Sequence, residues 1–293
     1  MINISRLLRT LAIASVSATA ASAAMAAPAM LWEVTGIANP ESAVIDAKAG
    51  VIYVSQVDGA ADAKDGKGGI AKVSLDGKTV DLKWSTSGYN APKGLALVGG
   101  KLFAADIDVL HEIDTKDGKI VKSYPAKDAK FLNDVAADTA GNVYVSDMVT
   151  NTIWKLAGGK FEIFLNDAKL ENPNGLLVEG GDLRVAAWGV MTDGFATKVP
   201  GHLISVALDS KAISAIGDAK PFGNLDGLEP LGGGAYLISD WMNGKVMKYN
   251  ADGKVDVLLE LGQGAADIGY DAASKIMYVP QMMKGTLQAY KVE

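Results

Sequence analysis

The segment Asn172-Pro-Asn-Gly-Leu-Leu-Val-Glu179 decides the fold, because its order of loop, polar residue, small residue and apolar strand recurs along the chain. The recurring polar or small position is occupied in turn by Glu41, Lys93, Asn133, Asn174, Asp226 and Ala266. The steps between these positions are 52, 40, 41, 52 and 40 residues. A period of about 40–45 residues containing several short strands is typical of a β-propeller, so the sequence predicts an all-β, six-bladed β-propeller.

Each repeat continues with further short apolar strands separated by Asp-Gly or Gly-Gly turns, such as Asp76-Gly77 and Gly158-Gly159. The sixth repeat ends at Glu293 after three strands. We expect its outer strand to come from Leu31-Trp-Glu-Val-Thr35, which would close the ring. An open β-sandwich is the competing fold, and it does not explain the regular period.

The N-terminus has the layout of a secretory signal peptide. Arg6 and Arg9 precede an Ala-rich apolar run, and Ala24-Met25-Ala26 follows it as a small-x-small cleavage signature. The run is too short and too rich in Ala for a convincing membrane span. We therefore expect a signal peptide over 1–26, one domain over 27–293, and a periplasmic or secreted product without membrane insertion.

The composition restricts the possible functions. Loss of Arg6 and Arg9 with the signal peptide, which holds no acidic residue, changes the formal charge from −6 to −8. Such an acidic protein is not expected to bind nucleic acid, because phosphate recognition needs a basic face. The chain has no Cys, which excludes disulfides, thiolate metal sites and Cys nucleophiles. The sequence does not indicate an oligomeric state.

The repeat also predicts where a functional site lies. The innermost strand of each blade lines the central channel, so the six recurring positions are expected to meet at one channel mouth. The loop between the second and third strands reaches the same face. It is long in blade 1, roughly residues 58–69, and in blade 4, roughly residues 190–201. Because these blades are opposite each other, the two insertions should face each other across the opening.

The ends of the second strands should surround this mouth with Trp and Met side chains: Met148, Trp188, Met191, Trp241, Met242, Met282 and Met283. An apolar wall above a polar floor is the usual construction of a small-molecule pocket. Ordinary packing between blades would use the same residue types and is the alternative interpretation.

Four of the ring positions offer oxygen ligands: Glu41, Asn133, Asn174 and Asp226. Two carboxylates and two amide carbonyls, without His or Cys, suit a hard divalent cation such as Ca²⁺. The alternative is that these side chains only cap the starts of strands. Their recurrence at matching places in four repeats favours a site.

These segments resemble a known family, the senescence-marker-protein, gluconolactonase and luciferin-regenerating-enzyme group of six-bladed propellers. The resemblance covers essentially the whole mature chain. The segments that carry it are Asn-Pro-Glu41, Leu-Asn133-Asp134, Pro-Asn174-Gly175 and Leu-Asp226-Gly227.

The resemblance implies a divalent metal in the channel, with Ca²⁺ the expected ion, and hydrolysis of lactones or related esters. Glu41, Asn174 and Asp226 match the family's metal ligands, and Asn133 matches a residue that contacts metal or substrate. Asp226 would then be both ligand and catalytic base or nucleophile. Asn133 would orient the substrate, and Asp134 would support the ligands from behind.

Two residues depart from the family pattern. Phe131 stands where sugar-lactonase members have an Arg that grips substrate hydroxyls, which favours a more apolar lactone or ester. Lys93 adds an ammonium to the ring, where it could pair with Glu41, compete with the metal, point outward or bind a substrate oxygen. We expect Lys93, Phe131, Trp188 and Trp241 to contact the small-molecule substrate.

Two functions remain open on the sequence. The first is an exported, calcium-dependent hydrolase of a lactone or ester. The second is a non-catalytic periplasmic binding or scaffold propeller that holds a structural ion. His202 follows the blade 4 insertion and could act as an acid or base, or be a plain loop histidine. Asp106, Asp147 and Asp240 recur at the ends of second strands, which favours a structural hydrogen-bonding role.

Overall fold

A computed structural model describes residues 27–292. The expected signal peptide, residues 1–26, lies outside these residues. Twenty-four strands form six four-stranded antiparallel sheets, arranged as the blades of a propeller. The predicted fold class is confirmed. No helix within residues 27–292 is long and apolar enough to cross a membrane.

Blades 1 to 5 run from the inner to the outer edge in chain order. Blade 1 consists of β2 (Pro40–Asp46), β3 (Val51–Gln56), β4 (Gly69–Ser74) and β5 (Val80–Ser85). Blade 2 consists of β6 (Pro92–Val98), β7 (Lys101–Asp106), β8 (Val109–Asp114) and β9 (Ile120–Pro125). Blade 3 consists of β10 (Leu132–Ala137), β11 (Val143–Asp147), β12 (Thr152–Ala157) and β13 (Lys160–Asn166). Blade 4 consists of β14 (Pro173–Glu179), β15 (Asp182–Ala187), β16 (Leu203–Ala207) and β17 (Ile213–Ala215). Blade 5 consists of β18 (Leu225–Gly232), β19 (Ala235–Asp240), β20 (Lys245–Tyr249) and β21 (Val255–Glu260).

Blade 6 combines both ends of the described chain. Its inner three strands are β22 (Gly269–Asp271), β23 (Ile276–Gln281) and β24 (Thr286–Lys291), and its outer strand is β1 (Ala29–Thr35). Strand β1 pairs antiparallel with β24 from Ala29 opposite Lys291 to Thr35 opposite Thr286. The last blade is thereby completed by the first strand, and β24 is not left as an open sheet edge.

The hydrophobic core lies between adjacent blades. One cluster joins Phe103 and Leu110 of blade 2 to Val145 and Trp154 of blade 3, and similar clusters join the other neighbours. Because each sheet buries both faces in this way, the residues of its inner strands are mostly buried.

The small residue that follows the ring position has a steric reason in blades 4 and 5. A Cβ atom on Gly175 would lie 1.8 Å from the carbonyl oxygen of Asp226, and one on Gly227 would lie 2.3 Å from the backbone nitrogen of Ile268. Neighbouring inner strands therefore approach so closely that a side chain does not fit. This close approach brings the ring residues of adjacent blades together.

Candidate functional site

The polar residues of the predicted ring line one cavity of about 320 Å³. They are Glu41, Lys93, Asn133, Asn174 and Asp226. All five are almost fully buried, with exposed fractions of 6% or less. Ala266, the sixth ring position, is buried and does not line the cavity.

A shift in strand register places each of these side chains. In blades 1 to 5 the pairing of the inner strand with the second strand is interrupted at the ring residue, as between Leu132 and Val135. In blade 3 the Ser146 hydroxyl fills the gap. It accepts the N–H of Asp134 at 2.9 Å and donates to the carbonyl oxygen of Asn174 at 2.8 Å. The interruption therefore frees the ring residue from the ladder while Ser146 holds the two neighbouring blades in register.

Ser239 makes the corresponding bonds in blade 5. Its hydroxyl accepts from the Gly227 N–H and donates to the Ala266 carbonyl oxygen, both at 2.7 Å. Ser55 accepts the Ser42 N–H in blade 1 at 2.9 Å. In three second strands the last residue but one is therefore a Ser that supports the ring. The Val-Ser and Ile-Ser pairs of the sequence mark these positions.

The wall of the cavity is apolar. Phe131, Met148 and Trp188 form a buried cluster, and Trp241 packs on Trp188 with 6.1 Å between ring centroids. Met282 and Met283 complete the wall on the blade 6 side. A polar floor under an aromatic and thioether wall is suited to a small apolar ligand with a few polar atoms.

Both long insertions reach this wall. Ala61 of the blade 1 insertion packs against the Phe131–Met148–Trp188 cluster. Phe195 of the blade 4 insertion lies 5.3 Å from the Phe131 ring, and its carbonyl oxygen accepts a bond from the Trp188 indole at 2.9 Å. Phe195 was not predicted as a site residue. Its position within the blade 4 insertion was the available signal.

Three buried oxygens of the ring have no hydrogen-bond partner among the described residues: Glu41 Oε2, Asn133 Oδ1 and Asp226 Oδ1. Asn174 Oδ1 accepts from Asn133 Nδ2, which joins the ring residues of blades 3 and 4. Unpaired buried oxygens are costly, so their convergence calls for a positively charged or donor ligand. The donor set fits a hard divalent cation. Residues 27–292 contain no group of three or more His, Cys, Asp or Glu side chains placed to hold a metal. A cation in this ring would therefore be bound by two carboxyls together with the amide oxygens of Asn133 and Asn174.

Burial and mutual repulsion act on the ring carboxyls. Burial, and then the charges of Asp226, Asp267 and Asp134, hold the pKa of Glu41 well above its ordinary value. Burial and the charge of Asp267 do the same to the pKa of Asp226. Asp267 lies one position beyond Ala266 in the channel, and burial raises its own pKa to about 7, although the Ser42 hydroxyl donates to it. A cation between these groups would lower all three pKa values.

Lys93 points into the cavity. Its Nζ donates to the Ala91 carbonyl oxygen at 2.9 Å and lies 4.3 Å from the centroid of the Phe131 ring. Burial lowers the pKa of Lys93 to about 8, while the charge of Glu41 acts in the opposite direction. No carboxylate of the described residues lies within 4.0 Å of this ammonium, so the predicted alternative of a direct ion pair with Glu41 is wrong.

Other predicted residues lie outside the cavity. Asp134 accepts the N–H groups of Val135 and Leu176 and so braces the inner strands of blades 3 and 4. Met191 packs behind the Trp188 cluster, and Met242 is exposed at the surface. His202 faces Glu171 at 3.4 Å and does not line the cavity, which removes it as a candidate acid or base there.

The recurring aspartates at the ends of second strands have the structural role expected of them. Asp106 accepts the backbone N–H groups of Asn90 and Ala91 at 2.6 and 2.8 Å. Asp147 accepts those of Lys130 and Phe131 at 2.9 and 3.1 Å. These bonds anchor the loop that leads into each inner strand and so fix the residues next to the ring.

Comparison with solved structures identifies propellers of the same fold. A putative gluconolactonase shares 16% identity, with 91% of this chain and 92% of that chain covered and a TM-score of 0.65. A gluconolactonase from Xanthomonas campestris shares 14% identity, with 90% and 99% covered and a TM-score of 0.59. A virginiamycin B lyase from Staphylococcus aureus shares 12%, with 89% and 99% covered and a TM-score of 0.59.

No protein-family model matches the chain, and no curated protein matches it in sequence. At these identities the structural likenesses establish the six-bladed fold. The four ring segments predicted a resemblance to gluconolactonases, and two gluconolactonase structures share the fold of this chain.

Proposed function

We propose that this protein is an exported, calcium-dependent hydrolase of an apolar lactone or ester, with metal and substrate bound in the cavity at the channel mouth. The observation that carries the proposal is that three unpaired buried oxygens, from Glu41, Asn133 and Asp226, belong to residues that line one cavity with an aromatic wall. The gluconolactonases among the structural neighbours support the choice of reaction.

Glu41, Asn133, Asn174 and Asp226 are the residues that would hold the metal. A bound divalent cation supplies positive charge that polarises a carbonyl oxygen and keeps the neighbouring carboxyls ionised. Asp226 lines the cavity and its Oδ1 has no hydrogen-bond partner among the described residues, so this oxygen would take a proton from an attacking water or attack the acyl carbon itself.

Substrate positioning falls to the wall and to Asn133. Phe131, Trp188 and Trp241 would hold the apolar part of the substrate, and the Asn133 amide would orient the acyl group. In hydrolysis the water oxygen bonds to the acyl carbon and the acyl C–O bond breaks. The proton removed by Asp226 is returned to the departing oxygen. Burial of the floor excludes bulk water from these steps.

The test is a panel of lactones and aryl esters assayed with calcium and with chelator, using the wild type and Asp226→Asn. We expect calcium-dependent turnover that falls by at least about 100-fold in the variant, as when other catalytic groups are removed. Asp138→Asn is the control, because it also changes a carboxyl of blade 3 but lies half-buried directly after β10, away from the ring and outside the cavity. A protein that binds calcium and is inert on every compound would contradict the hydrolase and favour the non-catalytic binding propeller.

Export is tested separately. When the full chain is produced in a Gram-negative host, we expect the periplasmic protein to begin near Ala27, since Ala24-Met25-Ala26 is the cleavage signature. Sequencing of its N-terminus measures this. A cytoplasmic product that retains Arg6 and Arg9 would show the proposal of export to be wrong.

A further inference from the structure

Lys93 supplies a buried ammonium that forms no direct ion pair with a carboxylate of the described residues. Among the described residues lining the cavity it is the sole cation, and it is 2% exposed. An ammonium has three N–H donors, and the Ala91 carbonyl oxygen accepts one of them. The Phe131 ring covers another side of Nζ with its π face. The remaining donor capacity faces the cavity.

The charge balance of the occupied site points the same way. If Glu41 and Asp226 hold a divalent cation, as proposed above, their two negative charges are compensated by the metal. Asp134 and Asp267 lie outside the lining of the cavity, so the Lys93 ammonium is then the one uncompensated charge among the described lining residues, in a poorly hydrated place. A buried charge of this kind is stable when a hydrogen-bonded counter-charge joins it.

The rest of the wall defines the body of the ligand. The ring centroids of Trp188 and Trp241 lie 6.1 Å apart, and the Phe131 ring, which is beside Lys93, lies 5.3 Å from that of Phe195. A cavity of about 320 Å³ admits a fused pair of aromatic rings with a short polar substituent. Aromatic faces favour a flat apolar group over a sugar.

We propose that the cavity selects an aromatic monocarboxylate, whose carboxylate accepts hydrogen bonds from Lys93 while its ring lies against Trp188 and Trp241. This rests on the proposed function for the reaction: the substrate is then an aromatic lactone or ester that carries a carboxylate in addition to the acyl group that is hydrolysed.

The experiment uses a ligand pair that cannot be hydrolysed as an ester, namely 2-naphthoate and its neutral amide 2-naphthamide. Calorimetry and quenching of tryptophan fluorescence measure both affinities in calcium, for the wild type, Lys93→Met and Lys93→Arg. We expect the wild type to prefer the carboxylate by about tenfold or more, since hydrogen bonds to charged groups contribute on that scale. Lys93→Met should abolish the preference, and Lys93→Arg should retain part of it.

Each other result overturns the proposal. Equal affinity for acid and amide, or binding of neither, contradicts selection of an anion. A preference that persists in Lys93→Met assigns the carboxylate to another group or to the metal. Thermal unfolding of each variant establishes that it is folded, and affinity for the amide shows that its wall is intact.

The outcome is independent of turnover. A protein that shows the Lys93-dependent preference yet hydrolyses no lactone or ester loses the hydrolase proposal alone. A hydrolase that turns over phthalide and 5-carboxyphthalide equally well, with equal affinity for the two naphthalene ligands, loses the carboxylate proposal alone.

Discussion

Substitution of Glu41 is expected to change two measured quantities in opposite directions, the unfolding temperature in chelator and the affinity for calcium. Its carboxyl is buried with an unpaired oxygen, and neighbouring acids raise its pKa. Glu41→Gln removes a costly buried charge, so the variant should unfold at a higher temperature than wild type in chelator. Its calcium affinity should fall at least about tenfold, the lower end of losses seen when the surroundings of a metal site are altered.

Thermal unfolding with and without calcium measures both effects of Glu41→Gln. The control is Glu260→Gln, which makes the same chemical change at an exposed position of β21 outside the cavity. A variant that loses stability in chelator and keeps the calcium-induced shift would show that Glu41 is a structural hydrogen-bonding group.

Asp267 predicts a pH dependence of the metal-free protein. Its pKa in the folded state is about 7, above the ordinary value of 3.8. The folded protein therefore holds a proton that the unfolded chain releases near pH 4. The resulting stability is complete below about pH 4 and is lost as pH rises through about 7. We expect the unfolding temperature in chelator to fall between pH 6 and pH 8.5, and to fall less in Asp267→Asn.

The pH series is repeated in calcium as its control. A cation among the ring oxygens lowers the pKa values of the neighbouring acids, so the fall should be smaller with the metal bound. A metal-free protein whose stability rises over this interval would contradict the assignment of a protonated Asp267.

Among the structural elements, the second strand of blade 3 supports the ring through Ser146. Its hydroxyl joins the Asp134 N–H to the Asn174 carbonyl oxygen, and its exposed fraction is 0%. Ser146→Ala leaves both groups unpaired and should lower the free energy of unfolding by about 2–4 kcal/mol. It should also weaken calcium binding, because Asn174 loses its backbone anchor. Denaturant unfolding and calcium titration measure the two losses.

Ser210→Ala is the matched control, since Ser210 is exposed on a loop and such changes stay within about 0.5 kcal/mol. A Ser146 variant as stable as this control would mean that water replaces the hydroxyl, and that the interrupted register does not depend on the serine.

The elements also show what the sequence could predict. The repeat predicts which residue of each inner strand lies at the mouth of the central channel. This position in the repeat is enough to bring Glu41, Asn133, Asn174 and Asp226 to the same channel mouth. Asp267 could have been found by the same rule, since it occupies in blade 6 the position of Asp134 in blade 3. Phe195 could not, because the path of a long insertion depends on packing with Phe131 and Trp188. The position of Lys93 over Phe131 depends on two side-chain rotamers that a repeat does not specify.

At the scale of the whole molecule, β1 joins the ends of the chain into a closed ring. Besides its ladder to β24, Trp32 donates an indole hydrogen bond to Leu75 of blade 1 at 3.2 Å and packs on Tyr278 at 5.8 Å. Deletion of residues 27–35 from the mature protein would expose β24 as an unpaired edge. We expect a markedly lower unfolding temperature and concentration-dependent association.

Light scattering and thermal unfolding test the deletion, and removal of residues 27–28 alone is the control, since strand β1 begins at Ala29. If the longer deletion leaves a monomer of wild-type stability, closure of the last blade is not what holds the ring together.

The central claim is that the unpaired oxygens at the channel mouth form a cation site. The most direct measurement is anomalous scattering from a crystal of the mature protein grown with manganese in place of calcium. We expect a strong anomalous peak among the side-chain oxygens of Glu41, Asn133, Asn174 and Asp226, with Lys93 in the cavity lining but outside the ligand set. A ring without a peak, with the Lys93 ammonium bonded to Glu41 and Asp226, would contradict it.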